Sequence, residues 1–185
     1  MYLTEWDFQL NDNPIRSPIL VIGLGNPILG DDGVGWRVVE EFEKRLKCEK
    51  LLEESETQKS LKPNPLEIEF EYQSVGGLAL MERMIGYDLV IIVDAITTGS
   101  SQPGAVKIMR LADLPDRTIG HLSSGHDTTL QNALKVGKVM GAKMPESIMI
   151  VGIEANQVYN FSDELSFAVQ HSIPEAVHKL MELLK

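Results

Sequence analysis

Ile19-Leu-Val-Ile-Gly-Leu-Gly-Asn-Pro-Ile-Leu-Gly-Asp-Asp-Gly-Val-Gly35 decides the fold of this 185-residue chain. Its opening is a continuous apolar run, the pattern of a parallel strand covered on both faces. Gly23, Gly25 and Gly30 then allow a sharp turn or a close backbone approach. Beyond the turn, Val34, Val38, Val39, Phe42 and Leu46 recur at helical spacing. A strand, a glycine turn and a helix follow one another, and two acids, Asp31 and Asp32, stand at the junction. In an open α/β sheet that junction lies at the carboxyl end of a strand, where ligands usually bind.

The remaining chain repeats the alternation. A first strand is expected from Pro18 to Leu24 and a first helix from Gly33 to Lys47. Glu49 to Pro65 is polar, contains two prolines and reads as an exposed connection. Glu67 to Tyr72 alternates as a strand with one wet face would. A short helix is expected after Gly76-Gly77. Asp88-Leu-Val-Ile-Ile-Val-Asp94 is the clearest buried strand, and it ends on an acid. Ala105 to Met109 forms another strand, followed by a long aperiodic stretch from Leu111 to Gly125. Such long connections are often functional, and this one is expected to be a mobile lid. A helix from Thr128 to Met140, a strand from Ser147 to Gly152 and a C-terminal helix from Asp163 to Lys185, interrupted near Pro174, complete the pattern. The sum is one α/β domain over residues 18–185 with a mostly parallel sheet, preceded by an extension over residues 1–17.

Composition narrows the function. A net charge of −10 argues against a nucleic-acid partner held by counterion release. The lone cysteine, Cys48, excludes a disulfide framework or a cysteine-rich zinc site within one chain and fits a reducing compartment. The N-terminus reads as neither a signal peptide nor a membrane span, so a cytoplasmic protein with no membrane partner is expected. A monomer is the default.

Asp31 and Asp32 have two readings. One acid would suit the N-cap of the following helix, but one cap needs only one carboxylate, which leaves Asp32 for a site. Asp94 could cap the next segment, yet it also points to the same crevice as the Asp31–Asp32 turn. Two carboxylates from separate strand ends, joined by a histidine, would suit nickel, iron, manganese or zinc with positions left open for substrate. Of the four histidines, His171 and His178 read as surface residues of the last helix. His121 and His126 belong to the long connection, and Ser124-Gly-His-Asp127, where the next helix begins, favours His126. No Gly-x-Ser-x-Gly elbow is present. Ile28 replaces the third glycine of a dinucleotide fingerprint, which excludes that motif. Cys48 has no adjacent histidine and reads as a solvated thiol.

Taken together, Gly23-Leu-Gly-Asn-Pro-Ile-Leu-Gly-Asp-Asp-Gly-Val-Gly35, Val90-Ile-Ile-Val-Asp-Ala95, Ser124-Gly-His126 and Val151-Gly-Ile-Glu154 resemble the hydrogenase maturation proteases. Those endopeptidases trim the large subunit of nickel-iron hydrogenases. The likeness runs from Leu20 to the C-terminus. It implies a three-layer α/β/α fold of the phosphorylase/hydrolase type and a metal-contacting site formed by Asp32, Asp94 and His126, with Asp32 and Asp94 as the catalytic candidates. It further implies a nickel-loaded large-subunit precursor as partner, the nickel arriving with the substrate, and no organic cofactor. Two features depart from the family pattern: Tyr72-Gln-Ser-Val-Gly-Gly77 stands where many members have an Asp-Gly-Gly turn, and residues 1–17 are additional. Two other readings compete. Peptidyl-tRNA hydrolases share the Gly-Leu-Gly-Asn-Pro opening, but Asp31-Asp32 replaces their Asn or His pair and the acidic charge disfavours tRNA. A non-catalytic chaperone that checks nickel loading would use the same three residues.

Overall fold

A computed structural model describes residues 19–56, 67–113, 129–156 and 158–184. The expected lid, the N-terminal extension, His121 and His126 lie outside these, wholly or, for the lid, from residue 114 onward. Five strands form one sheet: β1 (Ile19–Leu24), β2 (Ile68–Gln73), β3 (Leu89–Ile96), β4 (Val106–Arg110) and β5 (Ser147–Glu154). Their order is β2-β1-β3-β5-β4. Every pairing is parallel except that of β4 with β5. Four helices accompany them: α1 (Val34–Glu56), α2 (Gly77–Arg83), α3 (Leu130–Val139) and α4 (Phe167–Leu183).

Alternation along the strands builds two cores. Val21, Ile91, Val93, Val151 and Ile153 turn to one face, where Val38, Phe42, Val177 and Leu180 bring in α1 and α4. Leu20, Ile22, Val90, Ile92 and Ile150 turn to the other, beneath Leu80 and Met84 of α2 and Leu130 and Ala133 of α3. Sheet between two helix layers is the expected three-layer α/β/α arrangement. A wholly buried apolar side chain such as Phe42 contributes about 1.5–3 kcal/mol.

Two helices and two strands have boundaries that differ most from those read in the sequence. Helix α1 runs on to Glu56 rather than stopping at Lys47. Residues 48–56 are rich in Glu, Lys and Leu, good helix formers, and contain no proline or glycine to stop it. Helix α4 begins at Phe167 instead of Asp163 and passes through Pro174 without interruption. Proline removes one backbone donor, while the buried face of Val169, Ala176, Val177 and Leu180 holds both halves of the helix on the sheet. Strands β3 and β5 each continue two residues past the expected end, to Ile96 and Glu154. Asp94 therefore lies within β3.

The strand order fixes where a ligand fits. From β1 the chain crosses through α1 to β2 on one side, then returns through α2 to β3 on the other. The two crossovers leave on opposite faces, and this opens a crevice between the carboxyl ends of β1 and β3.

Candidate active site

The first wall of the crevice is the turn after β1. Gly25 has φ +124°, and a Cβ there would lie 1.9 Å from the Asp32 carbonyl oxygen. Only glycine lets the turn fold this tightly. The backbone N–H of Gly25 donates to the Gln73 carbonyl at 3.0 Å, and the Ser74 hydroxyl donates to the Gly25 carbonyl at 2.8 Å. The segment after β2, which departs from the family pattern, thus grips the turn from outside. Gly35 performs a similar service at the start of α1. A Cβ there would come within 2.3 Å of the carbonyl oxygens of both Leu24 and Val93. Its absence lets the helix sit directly on the ends of β1 and β3.

Asp31 and Asp32 occupy a single 3-10 turn, Gly30–Gly33, ahead of α1. Both are buried. No side chain caps the start of that turn at Leu29. Asp31 instead reaches across to α4, where its Oδ1 accepts the Ser166 backbone N–H at 2.7 Å and its Oδ2 the Ser166 hydroxyl at 3.0 Å. Ser166 is the N-cap of α4, so the carboxylate faces the positive end of that helix. Asp32 turns the other way. Its Oδ2 accepts the backbone N–H of Asn26 at 2.6 Å, closing the turn over itself. The two adjacent acids have separate partners, Ser166 for Asp31 and Asn26 for Asp32.

Asp94 stands across the crevice on β3 and is fully buried. Gly23 is paired with Val93, which sets Asp94 level with Leu24 at the mouth of β1. By strand alternation its side chain belongs to the face of Ile92 and Ile96, the side covered by α2 and α3. Asp32 thus sits in the turn after β1 and Asp94 on the neighbouring strand β3. Among the described residues no three His, Cys, Asp or Glu side chains converge as a metal cluster. The expected third member, His126, lies outside the described residues. His171 and His178 lie exposed on α4, as expected.

One buried acid was not singled out for a role from the sequence. Glu154, at the end of β5, is fully buried and lies on the same face as Asp94, two residues along the paired strand. It accepts the backbone N–H groups of Thr98 and Gly99 at 2.7 and 2.8 Å and the Thr98 hydroxyl at 2.6 Å, and Lys107 lies 3.6 Å away. Burial pushes its carboxyl up, but the Thr98 and Gly99 hydrogen bonds and the Lys107 charge outweigh it and hold the group below its ordinary value. Its oxygens thus tie down the turn that follows β3. The signal was available: the apolar run Ile148 to Ile153 ends on an acid just as the run before Asp94 does.

An open α/β domain with carboxylates about its topological switch point is of the class that binds ligands over the carboxyl ends of its strands. Residues 75–183 match the family model of the hydrogenase maturation proteases, and the chain belongs to that family. It is an endopeptidase of hydrogenase maturation, a hydrolase of peptide bonds. The hydrogenase expression/formation protein HupD of Rhizobium leguminosarum is 28% identical over 172 residues, covering 93% of this chain and 76% of its own. The hydrogenase 2 maturation protease of Escherichia coli is 28% identical over 135 residues, covering 73% and 71%. Among solved structures, the maturating endopeptidase HybD of Escherichia coli superposes with a TM-score of 0.66 at 24% identity, over 90% of this chain and 91% of its own. That likeness bears out the three-layer fold.

Proposed function

We infer that this chain removes the C-terminal peptide from a nickel-loaded hydrogenase large-subunit precursor, using Asp32 and Asp94 on the two sides of the crevice. The observation that supports the reading is the placement of the two acids about the switch point, Asp32 in the turn after β1 and Asp94 on the adjacent strand β3. A peptide carbonyl must be polarised and a water activated before the bond breaks. Two buried carboxylates in one crevice attract a divalent cation, and the substrate brings its own. The nickel held in the precursor docks against Asp32 and Asp94, with His126 as the third contact. The peptide beyond it then lies across the crevice.

In that complex a carboxylate serves as general base and takes a proton from the attacking water. Asp32 suits the task of meeting the substrate, because its turn forms the outer wall and its carboxylate is fixed by the Asn26 N–H. Asp94, fully buried on β3, is held by its pairing with Gly152 of β5. No described helix is long and apolar enough to cross a membrane. With its single cysteine, the chain suits the cytoplasm, where the precursor would meet it as a monomeric protease.

The test is the intact mass of nickel-loaded precursor before and after incubation with this protein. Loss of a C-terminal peptide that requires the loaded nickel is the expected result. An unchanged mass with a stable complex would replace the protease with a chaperone that checks nickel loading.

A further inference from the structure

Next to the Asp31–Asp32 turn the protein displays large exposed apolar side chains, of which Phe167 also packs its ring on His171 at 3.9 Å. Phe161 is 86% exposed, Tyr159 85%, Phe167 77% and Ile28 53%. They are not scattered. Ile28 lies four residues before Asp32 in the same loop. The segment carrying the aromatics is bound to that loop by a parallel bridge between Leu29 and Ser162. The Gly30 N–H donates to the Ser162 carbonyl at 2.7 Å, and the Ser162 N–H to the Ile28 carbonyl at 3.1 Å. One step back along a parallel bridge, Ile28 stands beside Phe161. Phe167 follows Ser166, whose amide and hydroxyl are held by Asp31.

The segment is anchored at both ends as well. Val158 is buried in the α1–α4 core and Leu165 packs against the same core. Tyr159 and Phe161 are thus held in the open by a fixed backbone. Holding apolar groups in water is unfavourable, and a fixed cluster of them marks a contact surface. Tyr and Phe are among the residues enriched at the centres of such contacts. Exposed Asp163 and Glu164 border the patch, on a chain of net charge −10.

We propose that this patch docks the part of the precursor next to the cleaved bond, and that the docked segment is apolar and carries a basic residue. The proposal rests on the protease reading and names how the substrate is held. A peptide bound at Asp32 would pass beside Ile28, four residues earlier in the same loop, and Phe161, on the segment hydrogen-bonded to that loop. The aromatics would cover the apolar part of the segment, and Asp163 and Glu164 would face its positive charge.

The probe is the nickel-loaded large-subunit precursor from the organism that supplies this chain. Its cleavage at sub-saturating concentration is followed for the unaltered protein, Phe161→Asp and Val139→Asp. Its equilibrium binding is measured in parallel in an Asp32→Asn background. Phe161 is exposed, so the change leaves the core intact; Val139 is an equally exposed apolar residue at the far end of α3. Phe161→Asp should lower both cleavage efficiency and affinity about tenfold or more, while Val139→Asp leaves them unchanged. Losses under twofold for Phe161→Asp, or equal losses for the two variants, would overturn the docking surface and leave the protease intact. Binding that depends on Phe161 without any cleavage would defeat the protease and keep the surface. If neither cleavage nor binding occurs with the unaltered protein, both readings fall. A dimer in sedimentation that Phe161→Asp converts to monomer would assign the patch to a second copy and overturn the proposal.

Discussion

The carboxylate of Asp31 accepts both the backbone N–H and the hydroxyl of Ser166, 135 residues away in the chain. One side chain thereby joins the turn after the first strand to the start of the last helix. Its neighbour Asp32 instead accepts the Asn26 N–H at 2.6 Å. Asp31→Ala would strip two buried hydrogen bonds from the α4 N-cap. The expected loss is about 2–3 kcal/mol of folding stability, since charged hydrogen bonds are stronger than neutral ones and Ser166 would lose its acceptor. A urea unfolding curve checks this; an unchanged midpoint would show that the bond does not hold α4 in place.

Gly25→Ala should be more damaging than an ordinary surface substitution. The position combines φ +124° with a backbone oxygen 1.9 Å from the new methyl carbon, and that oxygen belongs to Asp32. The turn must open, which carries Asp32 away from the Asn26 N–H. The expected cost is roughly 3 kcal/mol or more, with precursor cleavage lost even in the folded fraction. Thermal unfolding and a cleavage assay on the same sample read both effects.

Glu154 gives the fold an acid-sensitive joint. Its carboxyl titrates below its ordinary value of 4.5 in the folded chain. The folded state therefore binds that proton less readily than the unfolded state does. The stabilisation is complete above the unfolded value and is lost as pH falls through the folded one. Unfolding midpoints taken from about pH 7 down to about pH 3 should fall less steeply for Glu154→Gln than for the unaltered chain. The variant should also start lower, because a neutral amide accepts the Thr98 and Gly99 N–H bonds more weakly. Parallel curves for the two proteins would remove Glu154 as the source.

Most of the fold was legible because the central strands are written as unbroken apolar runs. Leu20 to Ile22 and Val90 to Val93 are wholly buried, and their covering on both faces follows from that pattern alone. Asp94 is legible for the same reason, because it closes the apolar run of β3, whereas Asp32 is read from the glycine turn that follows β1. What the sequence obscured depends on partners far away in the chain. Nothing near Asp31 announces Ser166, and a local reading gives the acid to its own helix. Pro174 reads as a helix break because local propensity omits the buried stripe that holds α4 together. Glu154 was passed over although it repeats the Asp94 pattern, because its partners, Thr98, Gly99 and Lys107, become neighbours only when β5 pairs with β3 and β4. Expectations for His126, the lid and residues 1–17 lie outside the described residues.

The central claim is that two carboxylates from neighbouring strands cleave the nickel-loaded precursor, and Asp94→Asn tests it most directly. The substitution keeps the shape of a fully buried side chain and removes its charge. Intact mass spectrometry of the loaded precursor, after incubation with each protein, provides the readout. The account predicts C-terminal shortening by the unaltered chain and a rate at least about a hundredfold lower with the variant, whose circular dichroism should be unchanged. Full cleavage by Asp94→Asn would contradict the account.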